Sequence, residues 1–248
     1  MHPVEYSVRM SHNSPAETSE LEYRGLKIHA IPSLHEECMA QIEALGLPPN
    51  ARVLDVGAGE GAFSLRLLDA GLQVNAAELE PGRFRLDVPC QNINLNDDFH
   101  HNWNEKFDLV VAIEILEHLN DPRHFISNCL QTLKPNGYML VTSPNTESWM
   151  SRIYFLRHGY FLWFKEDDYG MFGHVTPIFT WQVRQICGEL GAKLLRVVGT
   201  KVPLRMRLGE NVVEKLKNKS FYLRALYPLM KGPKDGEINI YLIQKGAA

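Results

Sequence analysis

The sequence lacks the features that mark secreted, metal-binding and membrane-spanning proteins. It has four cysteines among 248 residues, and none stands in a CxxC or Cys/His spacing. We therefore predict neither a disulfide framework nor a metal site, and this cysteine usage fits a reducing cytoplasm. No apolar run approaches the ~18 residues that span a bilayer, and the first residues do not resemble a signal peptide. We expect a cytoplasmic protein, at most peripheral at the inner face of the membrane.

The sequence also lacks an excess of charge of either sign. It contains 26 lysines and arginines and 29 aspartates and glutamates, which give a formal net charge of -3. Because nucleic-acid binders usually carry a strongly basic surface, we expect no nucleic-acid partner. Hydrophobic residues make up 45% of the chain and charged residues 22%, as in an ordinary globular domain.

From about residue 50 onward, short apolar strands alternate with amphipathic helices. The run Asp108–Ile113 is almost entirely apolar, as expected for a strand that is buried on both faces. Repeated β-α units predict a mostly parallel sheet with helices on both faces. The pattern predicts strands over residues 52–56, 74–78, 90–93, 108–113, 138–142, 194–198 and 238–243.

Three helices have recognisable start signals. Ser33 and Glu36 stand in capping-box spacing before an apolar stripe, which predicts a first helix. Asp121 followed by Pro122 predicts an N-cap with proline at the first helical position. Thr180 is expected to cap a further helix.

The order of elements divides the chain into an arm and one domain. We predict a loosely ordered polar arm at residues 1–32 and a single domain at residues 33–248. Two insertions, at residues 145–179 and 200–236, exceed the ~2–6 residues of ordinary connections in such folds. The first is rich in aromatic side chains and is interpreted as a lid and acceptor wall, with extra core as an alternative. A third interpretation, peripheral membrane contact, rests on basic residues among these aromatics: Arg152, Arg157 and Lys165.

The first predicted strand of the sheet runs into a glycine loop that predicts a bound ligand. Glycine is needed because a Cβ atom would block the close approach of backbone N–H groups to that ligand. Gly57, Gly59 and Gly61 give the GxGxG pattern of S-adenosylmethionine (SAM) sites. With Ala62 in place of the third glycine, the loop also satisfies the relaxed dinucleotide pattern GxGxxA. Glu78 could hold the ribose of either cofactor, so the loop alone leaves SAM, a dinucleotide and an unliganded turn open.

Three segments, in the right order, resemble motifs of class I SAM-dependent methyltransferases. Residues 53–61 resemble the first motif, residues 107–119 the fourth-strand motif, and residues 133–145 the segment through the fifth strand. The likeness is closest to ubiquinone-biosynthesis O-methyltransferases and to methyltransferases of polysaccharide and secondary-metabolite pathways. It implies a Rossmann-like, doubly wound α/β fold. The seven-stranded sheet should be mostly parallel, with one antiparallel strand near the C-terminal edge.

The resemblance also implies where SAM lies. Asp55 and the Gly57 backbone belong to the methionine end, Glu78 takes the ribose, and the segment Ile113–Leu116 passes beside the sulfur. Where the family commonly has an aspartate for the adenine amino group, this chain has Asn94, whose carbonyl can accept the same bond. The implied cofactor-binding residues are Asp55, Gly57, Ala58, Gly59, Gly61, Glu78, Leu79, Asn94, Leu95, Ile113 and Glu114.

Two histidines are candidates for the base that a hydroxyl acceptor needs. Histidine is suited to this role because it titrates near neutral pH. His118 follows the fourth strand, and His174 ends the aromatic insertion and could reach over the site. His35, on the first helix, is a further candidate. For each of them, a purely structural hydrogen-bonding role is the alternative.

These inferences predict an enzyme that transfers a methyl group from SAM to an acceptor oxygen. The acceptor is expected to be a small molecule or a glycan or lipid-linked intermediate, and nitrogen and carbon acceptors stay open. One alternative is a nicotinamide-dependent oxidoreductase, which the fourth- and fifth-strand motifs disfavour. The other is a SAM-binding protein that does not catalyse, since a fold does not fix a function.

Overall fold

The computed structural model of the protein describes residues 22–200 and 229–247. The described residues form a hairpin of strands β1 (Glu22–Tyr23) and β2 (Leu26–Lys27) and a separate seven-stranded sheet. The strands of the sheet are β3 (Arg52–Val56), β4 (Gln73–Glu78), β5 (Cys90–Asn92), β6 (Phe107–Ala112), β7 (Leu133–Pro144), β8 (Ala192–Gly199) and β9 (Ile238–Lys245). The helices are α1 (Leu34–Glu43), α2 (Ala62–Asp69), α3 (Pro122–Thr132), α4 (Trp149–His158), α5 (Glu166–Phe172) and α6 (Thr180–Glu189).

The large sheet has the strand order β5-β4-β3-β6-β7-β9-β8. The first five strands in this order, from β5 to β7, are parallel to one another, whereas β9 runs antiparallel to both of its neighbours. The predicted fold class, with one antiparallel strand near the C-terminal edge, is therefore confirmed. The strand order reverses between β3 and β6. In open α/β sheets, ligands bind at such a switch point, outside the carboxyl ends of the strands.

The core lies on both faces of this sheet. In β6, Val110 and Ala112 point into one cluster of buried side chains, which includes Phe125 of α3. Leu109 and Val111 point into the other, which includes Leu34 of α1 and Phe63 of α2. A strand that is covered on both faces has no need of polar alternation, which explains the apolar run in the sequence.

Of the three predicted N-caps, the structure contains one, that of α3. Asp121 caps α3 as predicted, because its side chain accepts hydrogen bonds from the backbone N–H groups of Arg123 and His124. Ser33 stands before α1 but has a left-handed backbone (φ 64°) and makes no capping hydrogen bond, so the predicted capping box is wrong. Thr180 is already inside α6. The cap position belongs to Phe179, whose N–H is bound by the Gln182 side chain.

The fifth strand of the sheet is longer than the predicted residues 138–142. Strand β7 begins at Leu133, which pairs with Phe107, and the register then shifts so that Leu109 pairs with Tyr138. The polar residues between these two pairs bulge out of the ladder. Their turn-like composition hides the first part of the strand in the sequence.

Parts of the predicted arm and insertions fall within the described residues. Residues 22–27 of the arm form the β1–β2 hairpin, and Leu26 packs with Ala62 of α2. The aromatic insertion forms α4 and α5. Residues 1–21 of the arm and residues 201–228 of the second insertion lie outside the described residues. No helix in the described part of the chain is long and apolar enough to cross a membrane.

Candidate active site

A cavity of about 780 Å³ opens at the carboxyl ends of β3, β4 and β6. This volume lies within the range of about 300–1,000 Å³ that is usual for small-molecule sites. Ten of the predicted site residues line it: Gly57, Gly59, Glu78, Leu79, Asn94, Leu95, Ile113, Glu114, His118 and His174. Four do not: Asp55, Ala58, Gly61 and the further candidate base, His35.

The glycine loop makes one wall of this cavity. Gly57 and Gly59 have positive φ angles of 73° and 57°, which favour glycine. A Cβ atom on Gly57 would collide with the side chain of Ile115, another cavity residue. Gly61 instead allows close packing at the start of α2, because a Cβ there would press on Leu86 and Phe84 at 3.0–3.1 Å.

Glu78 fastens the glycine loop to the end of β4. One carboxylate oxygen accepts the N–H of Gly59 at 2.7 Å, and the other accepts the N–H groups of Leu79 at 3.1 Å and Glu80 at 3.4 Å. A carboxylate offers about four acceptor sites. Glu78 can therefore hold the loop and still accept a hydrogen bond from a hydroxyl group of a ligand.

Asp55 lies behind the loop, where a second, smaller cavity touches it and Ala58. The hydroxyl of Ser64 donates a 2.6 Å hydrogen bond to its carboxylate. Burial raises the pKa of Asp55 to about 6; the Ser64 bond opposes this shift and the charge of Glu78 adds to it. Burial makes the charged form of this carboxylate unfavourable, and a nearby cation would offset that cost. Asp55 is therefore well suited to a cationic group of a ligand.

Asn94 also lines the large cavity, just after β5. Its side-chain carbonyl oxygen accepts the backbone N–H of Asn96 at 3.1 Å and the side-chain NH2 of Asn96 at 3.5 Å. Because the oxygen has two lone pairs, a ligand N–H would take the place of the longer of these two hydrogen bonds. Leu95 packs against the core beside it.

Glu114 directly follows Ile113 beyond the end of β6 and has a left-handed backbone (φ 54°). Its N–H donates to the hydroxyl oxygen of Thr142 at 2.8 Å, and this hydroxyl donates to the Glu114 carboxylate at 3.0 Å. The neighbouring strand β7 thus holds a backbone conformation that costs a non-glycine residue roughly 1–3 kcal/mol.

The two candidate bases, His118 and His174, form a pair at the cavity wall. Their ring centroids are 4.9 Å apart in an edge-to-face arrangement. His174 Nδ1 lies 2.8 Å from the Trp163 carbonyl oxygen, and His118 Nδ1 lies 3.3 Å from that of Gly173. Because a carbonyl only accepts, each Nδ1 is assigned as the protonated nitrogen. Burial lowers the pKa of His118, and the neighbouring His174 lowers it further.

Glu117, next to this pair, is a residue that the sequence pattern did not single out. Its side chain is fully buried, and neither carboxylate oxygen has a hydrogen-bond partner among the described residues. Burial, and then the charge of Glu114, raise the pKa of Glu117 well above its usual range. Atoms of Glu117, His118 and His174 lie within 4.8 Å of one another and could hold a metal ion. The absence of a metal stays a prediction.

The large cavity also has walls that the sequence pattern did not indicate. Residues 28–31, which follow the hairpin, and Arg83 line it, and Arg83 Nη2 lies 3.5 Å from His29 Nε2. Trp163, Met171 and Phe172 of the aromatic insertion line it on the side of the histidine pair. The composition of residues 1–32 suggests an arm, and nothing in their spacing signals that some of them complete a pocket.

A family comparison identifies the chain. A family model described as a methyltransferase domain matches residues 31–195. The chain belongs to the SAM-dependent methyltransferases. The ubiquinone biosynthesis O-methyltransferase of Xanthomonas campestris pv. campestris is 32% identical in an alignment 130 residues long, and the match covers 48% of this chain and 52% of that protein. The chain spans about half the length of the curated relatives it matches.

Solved structures share the methyltransferase fold. A SAM-dependent methyltransferase from Archaeoglobus fulgidus is 18% identical with a TM-score of 0.57, and the match covers 94% of this chain and 100% of that one. The cyclase SpnF is 15% identical with a TM-score of 0.55, covering 86% and 82%. At these identities the likeness shows the fold alone. The cofactor of the family is SAM, and the comparisons give the nicotinamide alternative no support.

Proposed function

We propose that this methyltransferase transfers the methyl group of SAM to a hydroxyl oxygen of a small molecule. The observation that carries the proposal is the histidine pair, which faces the same cavity as the glycine loop and Glu78. We further propose that the acceptor is a glycan or a lipid-linked intermediate. The apolar surfaces of Trp163, Met171 and Phe172 favour an acceptor with an aromatic ring or another apolar part.

The residues around the large cavity fit SAM. The glycine loop offers a cradle in which Gly57 lies so close to the Ile115 side chain that a Cβ atom on Gly57 would collide with it. We assign Glu78 to the ribose, Asp55 to the methionine ammonium, and Asn94 with Leu95 to the adenine. When bound, SAM supplies a methyl group on a positively charged sulfur. An oxygen nucleophile can attack the methyl carbon and displace the sulfur as SAH.

His174 is our first choice for the base. With its Nδ1 proton held by the Trp163 carbonyl, its Nε2 atom carries a lone pair that can take the acceptor proton. Nδ1 of His118 lies 3.3 Å from the Gly173 carbonyl oxygen, and burial lowers the pKa of His118, which favours its neutral form. We therefore assign His118 to orienting His174 and to keeping a second positive charge out of the site.

Release of S-adenosylhomocysteine (SAH) tests this proposal. The protein is incubated with SAM and, in separate reactions, with phenols, free sugars and lipid-tailed phenols. We expect SAH release that depends on the acceptor, and a methyl ether in the product by mass spectrometry. SAH binding by calorimetry without release in any reaction would favour a non-catalytic SAM-binding protein. A methylated nitrogen or carbon would replace the oxygen assignment.

Peripheral membrane contact is a further proposal, supported by exposed apolar side chains on α4. The side chain of Leu156 is 84% exposed and that of Phe155 is 43% exposed, with Arg157 beside them. We expect the protein to co-sediment with vesicles that contain phosphatidylglycerol, and Leu156→Ser to weaken this binding several-fold. Leu195→Ser on β8, where the leucine is 40% exposed, is the matched control. Equal binding by both variants would argue against contact through α4.

A further inference from the structure

We infer that Trp163 selects the acceptor with its indole ring and positions the proposed base with its backbone carbonyl. The inference deepens the proposed function, because it rests on the assignment of His174 as the base. It gives one residue of the aromatic insertion both the choice of an acceptor and the alignment of the imidazole that takes its proton.

Trp163 has a backbone conformation that a residue with a bulky side chain rarely adopts. Its φ angle is 74°, in the left-handed region, which disfavours an L-residue by roughly tenfold. A glycine would adopt this conformation without that penalty. Strained residues of this kind persist where their surroundings hold them, and they cluster at active sites and ligand sites. The strain at Trp163 therefore points to a use for its side chain.

Two groups of Trp163 face the site where the acceptor and the proposed base meet. Its carbonyl oxygen accepts a hydrogen bond from Nδ1 of His174 at 2.8 Å. Its side chain lines the large cavity and meets the ring of Phe172 edge-on, with the ring centroids 6.5 Å apart. The ring of Phe172 in turn lies 5.7 Å from that of His174. One residue thus joins the acceptor wall to the base.

Hydrogen bonds hold the residues on both sides of Trp163. The N–H of Leu162 donates to Oγ of Ser151 at 3.1 Å, and the N–H of Phe164 donates to the carbonyl three residues earlier at 3.1 Å. Ser151 is fully buried, so the chain before Trp163 is tied to the interior. We expect the packing of the indole to keep Trp163 itself in the left-handed region. Without the indole, an L-residue would turn to a negative φ and carry the carbonyl away from His174.

The carbonyl matters because it decides which nitrogen of the imidazole carries the proton. In a neutral histidine, the hydrogen bond at one ring nitrogen fixes the state of the other. While Trp163 holds the Nδ1 proton of His174, Nε2 keeps the lone pair that takes the acceptor proton. We therefore expect the indole to act on the KM of aromatic acceptors and the carbonyl to act on kcat.

Two substitutions separate these roles in SAH-release kinetics. Trp163→Gly removes the indole and readily keeps a positive φ, whereas Trp163→Ala removes the indole and disfavours it. With phenol as the probe acceptor, both variants should raise KM about tenfold, as for a lost aromatic contact. We expect kcat to stay within about threefold of wild type in Trp163→Gly and to fall about tenfold in Trp163→Ala. With glucose, which has no aromatic ring, KM should stay unchanged in Trp163→Gly.

NMR of protein labelled with ¹⁵N-histidine tests the positioning role without any acceptor. The spectrum of His174→Ala identifies the signals of His174. In mildly alkaline buffer we expect the proton on Nδ1 in the wild type and in Trp163→Gly, and a shift toward Nε2 in Trp163→Ala. Phe161→Ala is the matched control, because it removes a ring of the same insertion that packs on Phe155 and Phe179. This control should leave the tautomer unchanged.

The outcomes distinguish the inference from the function on which it rests. An unchanged tautomer in Trp163→Ala, or the same shift in Phe161→Ala, would overturn the positioning role. An equal rise in KM for phenol and glucose would overturn the role in selection. If phenol is not turned over, the tautomers alone decide. Full activity in His174→Ala would instead refute the proposed base, whatever the tautomers show.

Discussion

Replacing His174 with alanine is expected to lower the rate of methyl transfer by about 10²–10⁴-fold, the usual contribution of a positioned base. The Kd for SAH should stay nearly unchanged, because the imidazole is assigned to the acceptor proton.

Single-turnover kinetics with saturating SAM, combined with SAH calorimetry, measure both quantities. His158→Ala is the matched control, because this histidine lies on α4, packs against the Tyr154 ring at a tilt and does not line the cavity. His118→Ala should reduce the rate less than His174→Ala if His118 only orients its neighbour. Full activity in both cavity variants would end the base hypothesis.

Gly57→Ala is expected to weaken SAH binding by roughly 100-fold or more. The added methyl group would meet Ile115, and alanine at a φ of 73° costs roughly 1–2 kcal/mol in addition. Either the loop or the Ile115 side chain, which lines the same cavity, must shift to relieve the collision, and either shift alters the wall that faces the ligand. Calorimetry measures the affinity, and thermal unfolding reports how much of the effect is on stability.

The chain provides two controls for this effect. Gly71 also has a positive φ, of 79°, but a Cβ there would meet nothing within 4 Å. Gly71→Ala should therefore cost some stability and leave the Kd for SAH unchanged. Adding Ile115→Ala to Gly57→Ala removes the atoms that collide and should restore part of the affinity. Wild-type affinity in Gly57→Ala alone would contradict the proposed cradle.

Much of the fold could be predicted because its signals are local. The apolar run of β6 and the Asp121–Pro122 start of α3 depend on residues close together in sequence. The errors arose where distant partners decide. Strand β7 begins early because Leu133 pairs with Phe107, and Ser33 loses its capping role because the chain enters α1 with a left-handed backbone.

The same distinction between local signals and distant contacts applies to the predicted site. Residues just after strands, such as Gly57, Glu78 and Ile113, meet because parallel strands bring their carboxyl ends to one edge. Residues 28–31 and Arg83 reach the cavity only through packing of the hairpin and of a long connection. Glu117 was missed because burial, which makes a carboxylate unusual, is not visible in the residue type.

The peptide carbonyl of Glu117 accepts hydrogen bonds from the N–H groups of both Val175 and Thr176, at 2.9 and 3.0 Å. These two hydrogen bonds anchor the chain directly after His174 to the segment beyond β6. Within the described part of the chain, no backbone–backbone hydrogen bond of this kind joins residues 149–172 to that segment. The backbone of the proposed base is therefore anchored from the segment beyond β6, whereas residues 149–172 supply the apolar wall and, through the Trp163 carbonyl, the hydrogen bond that orients the His174 ring.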